Sequence, residues 1–193
     1  MKNTAIVFAR IPRLGTVKRR LARELGHRAA LRFHTRTLRR LLQSLCADRT
    51  FRTVLALTPD RGRLRLPCKV QRISQGFGDI GVRMDRALRR FPAGNALIVG
   101  CDIPAANAAD VRAAFRLLGR ADAVFGPAED GGYWLVGVGP RRPARPFANV
   151  RWSGPHALAD TLTNFAGRRV ARIRTLRDVD TAADYAAESA FTT

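Results

Sequence analysis

This sequence of 193 residues has no long hydrophobic run, no closely spaced cysteines and no hydrolase motif. A membrane-spanning helix needs about 20 mostly apolar residues in a row, and no stretch of this chain approaches that length. The short apolar run near the N-terminus is not followed by the small-residue cleavage site of a secretion signal. We therefore expect a cytoplasmic protein without a membrane span.

Cysteine is scarce. Cys46, Cys68 and Cys101 lie far apart in the chain, so they match neither a disulfide framework nor a zinc site with closely paired ligands. Free cysteines in proteins are usually buried. We expect three reduced, mostly buried thiols.

Histidines and aromatic residues are also few. His27, His34 and His156 are scattered, and no Ser or Cys stands in a GxSxG nucleophile elbow, so the sequence does not support a hydrolase triad. Aromatic residues make up 7% of the chain, and Phe33 is the one that lies within the most basic segment. Stacking on nucleic-acid bases is therefore poorly supported.

Positive charge is what the sequence has in excess. The 35 Lys and Arg residues outnumber 15 Asp and Glu, which gives a net charge of +20, and all but three of the basic residues are arginines. A GC-rich coding bias accounts for part of this arginine content. Residues 1–100 nevertheless carry +18 and residues 101–193 only +2. We expect the N-terminal half to meet anions: phosphates, nucleotides or nucleic acid.

Predicted strands alternate with predicted helices along the chain. A hydrophobic content of 46% is enough for a sizeable core, and the length predicts a single domain, residues 1–193. The predicted strands are 4–10, 52–58, 69–73, 96–101, 121–125, 133–138 and 170–173. The first predicted helix covers 17–46, with a break at Gly26, and the second runs from the loop 75–81 to about 91. A third covers 107–118, and a fourth runs from the N-cap Ser153 to about 165. The last predicted helix begins at the capping pair Thr181 and Asp184.

This alternation predicts an α/β fold, with a mostly parallel sheet between two layers of helices. The turn before strand 133–138 is too short for a crossover helix, so that strand should run antiparallel. Ligands bind such sheets at the carboxyl ends of the strands. Four loops, 11–20, 75–83, 101–104 and 127–132, leave the strands there, and each carries polar or glycine-rich chemistry.

Two of these loops favour phosphate or nucleotide binding. In the first, Pro12 and Gly15 make a turn into a helix whose free N–H groups attract an anion, and Lys18 and Arg20 add positive charge; a solvated basic helix start is the alternative. In the second, residues 76–81 match GxGxxG and an acidic residue follows 21 positions later, so a dinucleotide fingerprint is a rival interpretation. That fingerprint usually follows the first strand, and here it does not.

The other two loops carry carboxylates. Asp102 follows an apolar strand, and Glu129 and Asp130 precede two glycines. A hard divalent cation on a nucleotide needs one or two carboxylates together with phosphate oxygens, although each acid alone could simply cap a turn. Trp134 and Trp152 could either pack in the core or contact a ligand.

Several motifs in this order resemble one family, the radical-SAM/selenodomain-associated transferase 1 group, which is related to GT-A-type glycosyltransferases. The motifs are FARIPRLGTVKRRL, QGFGDIGVRM, VGCDIP, EDGGYWLVGV, VRWS and LRDVDT, and they span nearly the whole chain. The resemblance reassigns the GxGxxG segment away from dinucleotide binding. Three residues depart from the usual family pattern. This chain has Arg10 where the family usually has Lys, Arg19 where it has Thr, and Gly154 where Thr is common.

The resemblance implies a GT-A-like fold and transfer of a glycosyl group from a nucleotide-sugar donor to a small acceptor, assisted by Mg²⁺ or Mn²⁺. Asp102 would be a metal ligand, and Asp130 a second ligand or the acceptor's base. The implied phosphate residues are Arg10, Pro12, Gly15, Lys18 and Arg20, the implied base or ribose residues are Gln75, Gly76, Asp79 and Arg83, and the implied acceptor residues are Glu129, Gly131, Gly132, Trp134, Trp152 and Ser153.

Two alternatives remain open from the sequence. CDIP is similar to the metal turn of molybdenum-cofactor guanylyltransferases, and VKxRL to the phosphate loop of phospholactate guanylyltransferases, so nucleotidyl transfer from a nucleoside triphosphate is the alternative reaction. A non-enzymatic nucleic-acid-binding module is the second alternative, because Arg28, Arg32, Arg36 and Arg39 form a basic stripe along one helix. The base, the sugar, the acceptor and the oligomeric state are left open.

Overall fold

A seven-stranded mixed sheet lies at the centre of the protein, in a computed structural model that describes residues 3–60 and 64–190. The strands are β1 Thr4–Arg10, β2 Arg52–Thr58, β3 Gln71–Ser74, β4 Ala96–Gly100, β5 Ala123–Pro127, β6 Tyr133–Val138 and β7 Val170–Arg172. The helices are α1 Arg19–Leu25, α2 His27–Ala47, α3 Ile80–Arg89, α4 Ala108–Leu118, α5 Ala157–Thr163 and α6 Ala182–Ala190.

The sheet has the order β3-β2-β1-β4-β6-β5-β7. Its only antiparallel pairings within the described residues are those that β6 makes with β4 and β5. The α/β class, the mostly parallel sheet and the antiparallel β6 are thus confirmed. The five-residue turn between β5 and β6 cannot cross over the sheet, so the chain returns alongside the strand that it has just left.

Alternating apolar side chains on the strands supply two cores, one on each face of the sheet. Val7 and Leu55 belong to the core that α2 and α4 cover, whereas the preceding residues Ile6 and Val54 belong to the core covered by α3 and the segment around Phe165. Each core lies between the sheet and the helices that cover one of its faces. The strands that carry the site are therefore held rigidly from both sides.

The structure corrects one helix start. Ser153 does not cap a helix: it has a φ of +64°, and α5 begins at Ala157, with His156 at the N-cap and no side-chain capping bond. The capping pair of Thr181 and Asp184 is confirmed, because the Thr181 N–H donates to the Asp184 carboxylate at 2.9 Å and the Asp184 N–H donates to the Thr181 hydroxyl oxygen at 3.2 Å.

The prediction of three reduced thiols is wrong for two of the cysteines. Cys46 at the end of α2 and Cys68 before β3 are joined in a disulfide, with their Cα atoms 6.5 Å apart, whereas Cys101 is a buried free thiol. The two cysteines are 22 positions apart, and the segment between them includes β2. Only the return of the chain along the sheet brings the two sulfurs together, and cysteine spacing alone cannot show this. No helix in the described part of the chain is long and apolar enough to cross a membrane.

Candidate active site

Two adjoining cavities open at the carboxyl ends of the strands. The larger has a volume of about 700 Å³ and is lined by the loops after β1, β3 and β4. The smaller, about 250 Å³, is lined chiefly by the turn between β5 and β6 and by the segment before α5. Residues Ile80, Gly100, Asp102 and Ser153 line both. Asp102 therefore lies at the junction of the two cavities.

The larger cavity is rich in cations. Arg10, Arg19, Arg20 and Arg83 line it together with Lys18. Desolvation lowers the pKa of Arg83 from its ordinary value, and the nearby positive charge of Arg10 lowers it further. Two guanidinium groups that repel each other across a cavity are each stabilised by an anion between them. Of the predicted phosphate residues, Pro12 and Gly15 lie outside the cavity and shape the loop.

Lys18 does not point freely into this cavity. Its Nζ lies 2.8 Å from Asp180 Oδ1 and 3.1 Å from Asp102 Oδ1, and its side chain is only 5% exposed. Desolvation opposes its charge, but the two carboxylates outweigh that effect and raise the pKa of Lys18. The Lys18 ammonium thus pairs with two carboxylates, and its role in phosphate binding stays a prediction. Asp180 was missed from the sequence, although it stands in the motif LRDVDT.

Asp102 has two basic side chains as neighbours. Its side chain is 52% exposed, with Lys18 on one side and His34 Nδ1 at 3.7 Å on another. Desolvation by the cavity walls opposes ionisation, yet His34 and Lys18 outweigh it and hold the pKa of Asp102 well below its usual range. Asp102 is therefore a carboxylate at the junction of the cavities, and its role as a metal ligand stays a prediction.

The glycine-rich loop is fixed by buried hydrogen bonds. Gln75 is 3% exposed, and its side-chain amide donates to the Ala9 and Ala56 carbonyls at 3.1 and 2.9 Å. Its side-chain oxygen accepts from the Arg83 guanidinium. The Asp79 carboxylate instead accepts from the Val82 N–H at 2.8 Å as the N-cap of α3. Gln75 and Arg83 line the larger cavity, whereas Gly76 and Asp79 support its rim from outside.

The smaller cavity has aromatic walls and three carboxylates. Tyr133, Trp134 and Trp152 line it together with Asp102, Asp130 and Asp178. Burial raises the pKa of Asp178, and the charges of Asp180 and Asp130 raise it further. The predicted acceptor residues Gly132 and Ser153 also line this cavity.

Two predicted acceptor residues lie outside both cavities. Glu129 forms an exposed ion pair with Arg177 at 2.7 Å. Gly131 has a φ of +84°, and an added Cβ would lie 2.2 Å from the Pro155 carbonyl oxygen. Both residues therefore lie in the turn that carries Asp130, and their contact with an acceptor stays a prediction. Trp134 is largely a core residue, because its ring is buried against Gly126 and its indole N–H donates to the Arg174 carbonyl at 3.3 Å.

α2 presents an exposed basic face and a face that turns towards the larger cavity. The basic stripe of Arg28, Arg32, Arg36 and Arg39 lies on its exposed face, whereas His34, on the opposite side, lines the larger cavity. Among the described residues, one group of three side chains could hold a metal ion: His34, Cys101 and Asp102. The sequence did not predict His34 as a site residue, because no motif or ligand spacing distinguishes it from the other residues of the helix.

The residues around this site match a known bacterial family. A family profile described as "Uncharacterized protein conserved in bacteria (DUF2064)" matches residues 37–154. The chain belongs to this family. The matched DUF2064 segment includes the loops after β3 and β4 and the turn before β6, which contribute to both cavities. The comparison with curated proteins found no match.

Solved structures share the fold of this DUF2064 protein. A protein from Desulfovibrio desulfuricans G20, provisionally described as a nucleotide-diphospho-sugar transferase, is 26% identical with a TM-score of 0.86, over 96% of this chain and 85% of that one. A nucleotidyl transferase from Methanothermobacter thermautotroptrophicus has a TM-score of 0.64 at 11% identity, over 98% and 97% of the two chains. The Rv0371C protein of Mycobacterium tuberculosis H37Rv, solved in complex with manganese, has a TM-score of 0.57 at 16% identity, over 97% of each chain. The fold is thus the GT-A-like nucleotide-diphospho-sugar transferase fold.

Proposed function

We propose that this protein is a divalent-metal-assisted glycosyltransferase, a single-domain member of the radical-SAM/selenodomain-associated transferase 1 group, that moves a sugar from a nucleotide-sugar to a small acceptor. One observation carries the proposal: Asp102 lies at the junction of a cationic cavity and a smaller aromatic cavity. A transferase needs its donor and acceptor sites to meet at the reacting bond. The similarity to the Desulfovibrio protein supports the same assignment.

The larger cavity is the donor site in this proposal. Its volume of about 700 Å³ is within the range of roughly 300–1,000 Å³ that is usual for small-molecule sites. Arg10, Arg20 and Arg83 bind the diphosphate, since guanidinium groups match phosphate oxygens with paired hydrogen bonds. The sheet-anchored Gln75 keeps Arg83 in place on the base or ribose side. Phe8 and Ile80 supply apolar wall in the same cavity.

Asp102 and Asp180 fit a divalent cation. The Lys18 ammonium lies between their carboxylates, at hydrogen-bonding distance from each, so the two acids already share one cation. Mg²⁺ and Mn²⁺ prefer oxygen ligands and are commonly held by one or two carboxylates together with substrate phosphates. When bound, such an ion would neutralise the charge that develops on the departing diphosphate. Asp130, on the far side of the junction, is then the acceptor's base rather than a second ligand.

The acceptor occupies the smaller cavity against Trp152 and Tyr133. Its hydroxyl oxygen bonds to the anomeric carbon of the donor sugar, the bond from that carbon to the diphosphate breaks, and the bonding electrons leave with the nucleoside diphosphate. Asp130 takes the hydroxyl proton. Ser153 and the Gly132 backbone line the same space and orient the acceptor.

Nucleotidyl transfer is the second candidate. It is favoured by the shared fold of the Methanothermobacter nucleotidyl transferase, which covers 98% of this chain. In that reaction the acceptor attacks the α-phosphate of a nucleoside triphosphate, and pyrophosphate leaves. The same arginines and Asp102 would serve, because the charge again develops on a phosphate leaving group.

A nucleotide panel separates these candidates. Thermal unfolding would be measured with Mn²⁺ and each common nucleotide-sugar or nucleoside triphosphate, because a ligand that binds the folded state raises its melting temperature. The stabilising donor would then be incubated with small alcohols and amines. Release of nucleoside diphosphate supports glycosyl transfer, and release of pyrophosphate supports the alternative. Stabilisation by no member of either class would contradict both.

A further inference from the structure

The buried side chain of His34 has a fixed proton position. His34 is 3% exposed, and its Nε2 lies 3.0 Å from the Arg10 carbonyl oxygen. A carbonyl oxygen only accepts hydrogen bonds, so Nε2 carries the hydrogen. Nδ1 is then the ring atom that remains for a second partner. His34 presents this nitrogen to the larger cavity, which it lines.

That nitrogen has no donor among the described protein groups. His34 Nδ1 is buried without a hydrogen-bond partner there, and the nearest charged atom recorded for it is Asp102 Oδ1 at 3.7 Å. The nitrogen and the carboxylate oxygen thus face each other across a gap too long for one direct hydrogen bond. Two coordinate bonds of about 2.1 Å each can span such a gap when a metal ion lies between nitrogen and oxygen.

The opposite side of the ring supports the same assignment. Metal-binding histidines almost always donate their second ring N–H to a carboxylate or a backbone carbonyl, which fixes the ring and raises its basicity. The bond from Nε2 to the Arg10 carbonyl has this form. Cys101, the third member of the cluster, is a weaker candidate, because burial raises the pKa of its thiol well above the usual value and keeps it protonated.

We propose that His34 Nδ1 is a direct ligand, beside Asp102, of the divalent cation that assists transfer. This inference rests on the proposed function for the presence of the cation at Asp102. A mixed nitrogen and oxygen ligand set favours Mn²⁺, Co²⁺ or Zn²⁺ over Mg²⁺, because imidazole suits transition metals and Mg²⁺ prefers oxygen ligands. His34 is therefore the residue that sets the metal preference of the site.

Electron spin-echo spectroscopy of bound Mn²⁺ tests the proposal directly, since a coordinated imidazole couples its ¹⁴N nucleus to the metal. The wild-type protein is expected to show this coupling, and labelling its histidines with ¹⁵N should replace it with a ¹⁵N signal. His34→Gln keeps an amide N–H for the Arg10 carbonyl but removes the imidazole. We expect it to lose the coupling, to bind Mn²⁺ roughly tenfold or more weakly, and to discriminate less between Mn²⁺ and Mg²⁺. His27→Gln, at an exposed position on the same helix, is the matched control and should change neither.

The outcomes separate this inference from the proposed function. Mn²⁺ that binds in an Asp102-dependent manner without nitrogen coupling would overturn the role of His34 and leave the transferase proposal standing; a water bridging His34 and Asp102 would give this result. Nitrogen-coupled Mn²⁺ without transfer from any nucleotide donor would retain the metal site and reject the proposed function. If His34→Gln does not fold, the ¹⁵N-labelled wild-type protein alone decides.

Discussion

The Arg83 guanidinium donates a hydrogen bond of 3.1 Å to the side-chain oxygen of Gln75. The amide nitrogen of the same glutamine donates to carbonyls of two adjacent strands, β1 and β2. An arginine of the cavity wall is therefore connected, through one buried side chain, to the centre of the sheet. We therefore propose that Gln75 positions Arg83 for nucleotide binding.

Gln75→Met should lower both stability and donor binding. Methionine has a similar length, but it removes three hydrogen bonds from a buried position, so we expect the free energy of unfolding to fall by about 1–3 kcal/mol. Nucleotide affinity should fall as well, because Arg83 loses its anchor. Urea unfolding and nucleotide titration measure the two effects. Arg83→Met is the control: it should weaken nucleotide binding while changing stability little, and equal affinities of Gln75→Met and wild type would contradict the positioning role.

Lys18→Met should make the protein depend on a divalent cation for stability. The substitution leaves Asp102 and Asp180 without the ammonium that lies between them, at an expected cost of about 1–3 kcal/mol. Mn²⁺ should then raise the melting temperature of Lys18→Met more than that of wild type. Lys69→Met, on the exposed surface, is the matched control. Equal responses of the three proteins to Mn²⁺ would show that these two carboxylates do not share a cation site.

Asp102→Asn should separate ligand binding from folding. The side chain is half-exposed, and Lys18 retains Asp180 as a partner, so we expect stability to change by no more than about 1 kcal/mol. Metal-dependent nucleotide affinity should fall at least tenfold, together with transferase activity, because the amide lacks the charge that a hard cation requires. Both quantities can be measured on the same sample. A large loss of stability with intact affinity would assign Asp102 a structural role only.

Gly131→Ala should lower the stability of the protein far more than Gly15→Ala does. Both glycines have a φ near +80°, at +84° and +77°, but only at Gly131 would the new Cβ meet backbone, 2.2 Å from the Pro155 carbonyl oxygen. The conformational cost, about 1–2 kcal/mol, is common to both variants. The extra loss in Gly131→Ala therefore reports the close approach. Thermal unfolding of the two variants checks this. Equal melting temperatures would show that the backbone at Gly131 does not approach Pro155 so closely.

The oxidised protein should be more stable than the reduced one. A disulfide between Cys46 and Cys68 closes a loop with a sequence separation of 22 residues, for which the chain-entropy treatment gives about 3 kcal/mol. Alkylation under denaturing, non-reducing conditions should modify Cys101 alone. Cys68→Ser should abolish the difference between oxidising and reducing conditions. Alkylation of all three cysteines without reductant would show that the bond does not form.

The sequence predicted the elements well and the site less completely. β1, β2 and β6 have the predicted bounds, because each is an apolar run ended by clear turn residues. The positions of Asp102 and Asp130 near the junction of the cavities followed from the rule for strand ends. His34 and Asp180 did not, since they reach the cleft from the middle of a helix and from a C-terminal loop, and only the packed structure shows this.

The strand pairing changes from parallel to antiparallel between β4 and β6, next to the place where the proposed function locates the reaction. The all-parallel strands β1 to β4 come from residues 1–100, which carry +18, and the strands beyond the antiparallel junction come from residues 101–193, which carry +2. Positive charge is therefore concentrated in the part of the chain that supplies most of the larger cavity. In the proposed function this charge would speed the encounter with an anionic nucleotide donor and do little for an uncharged acceptor. Rising ionic strength is then expected to slow donor binding more than acceptor binding.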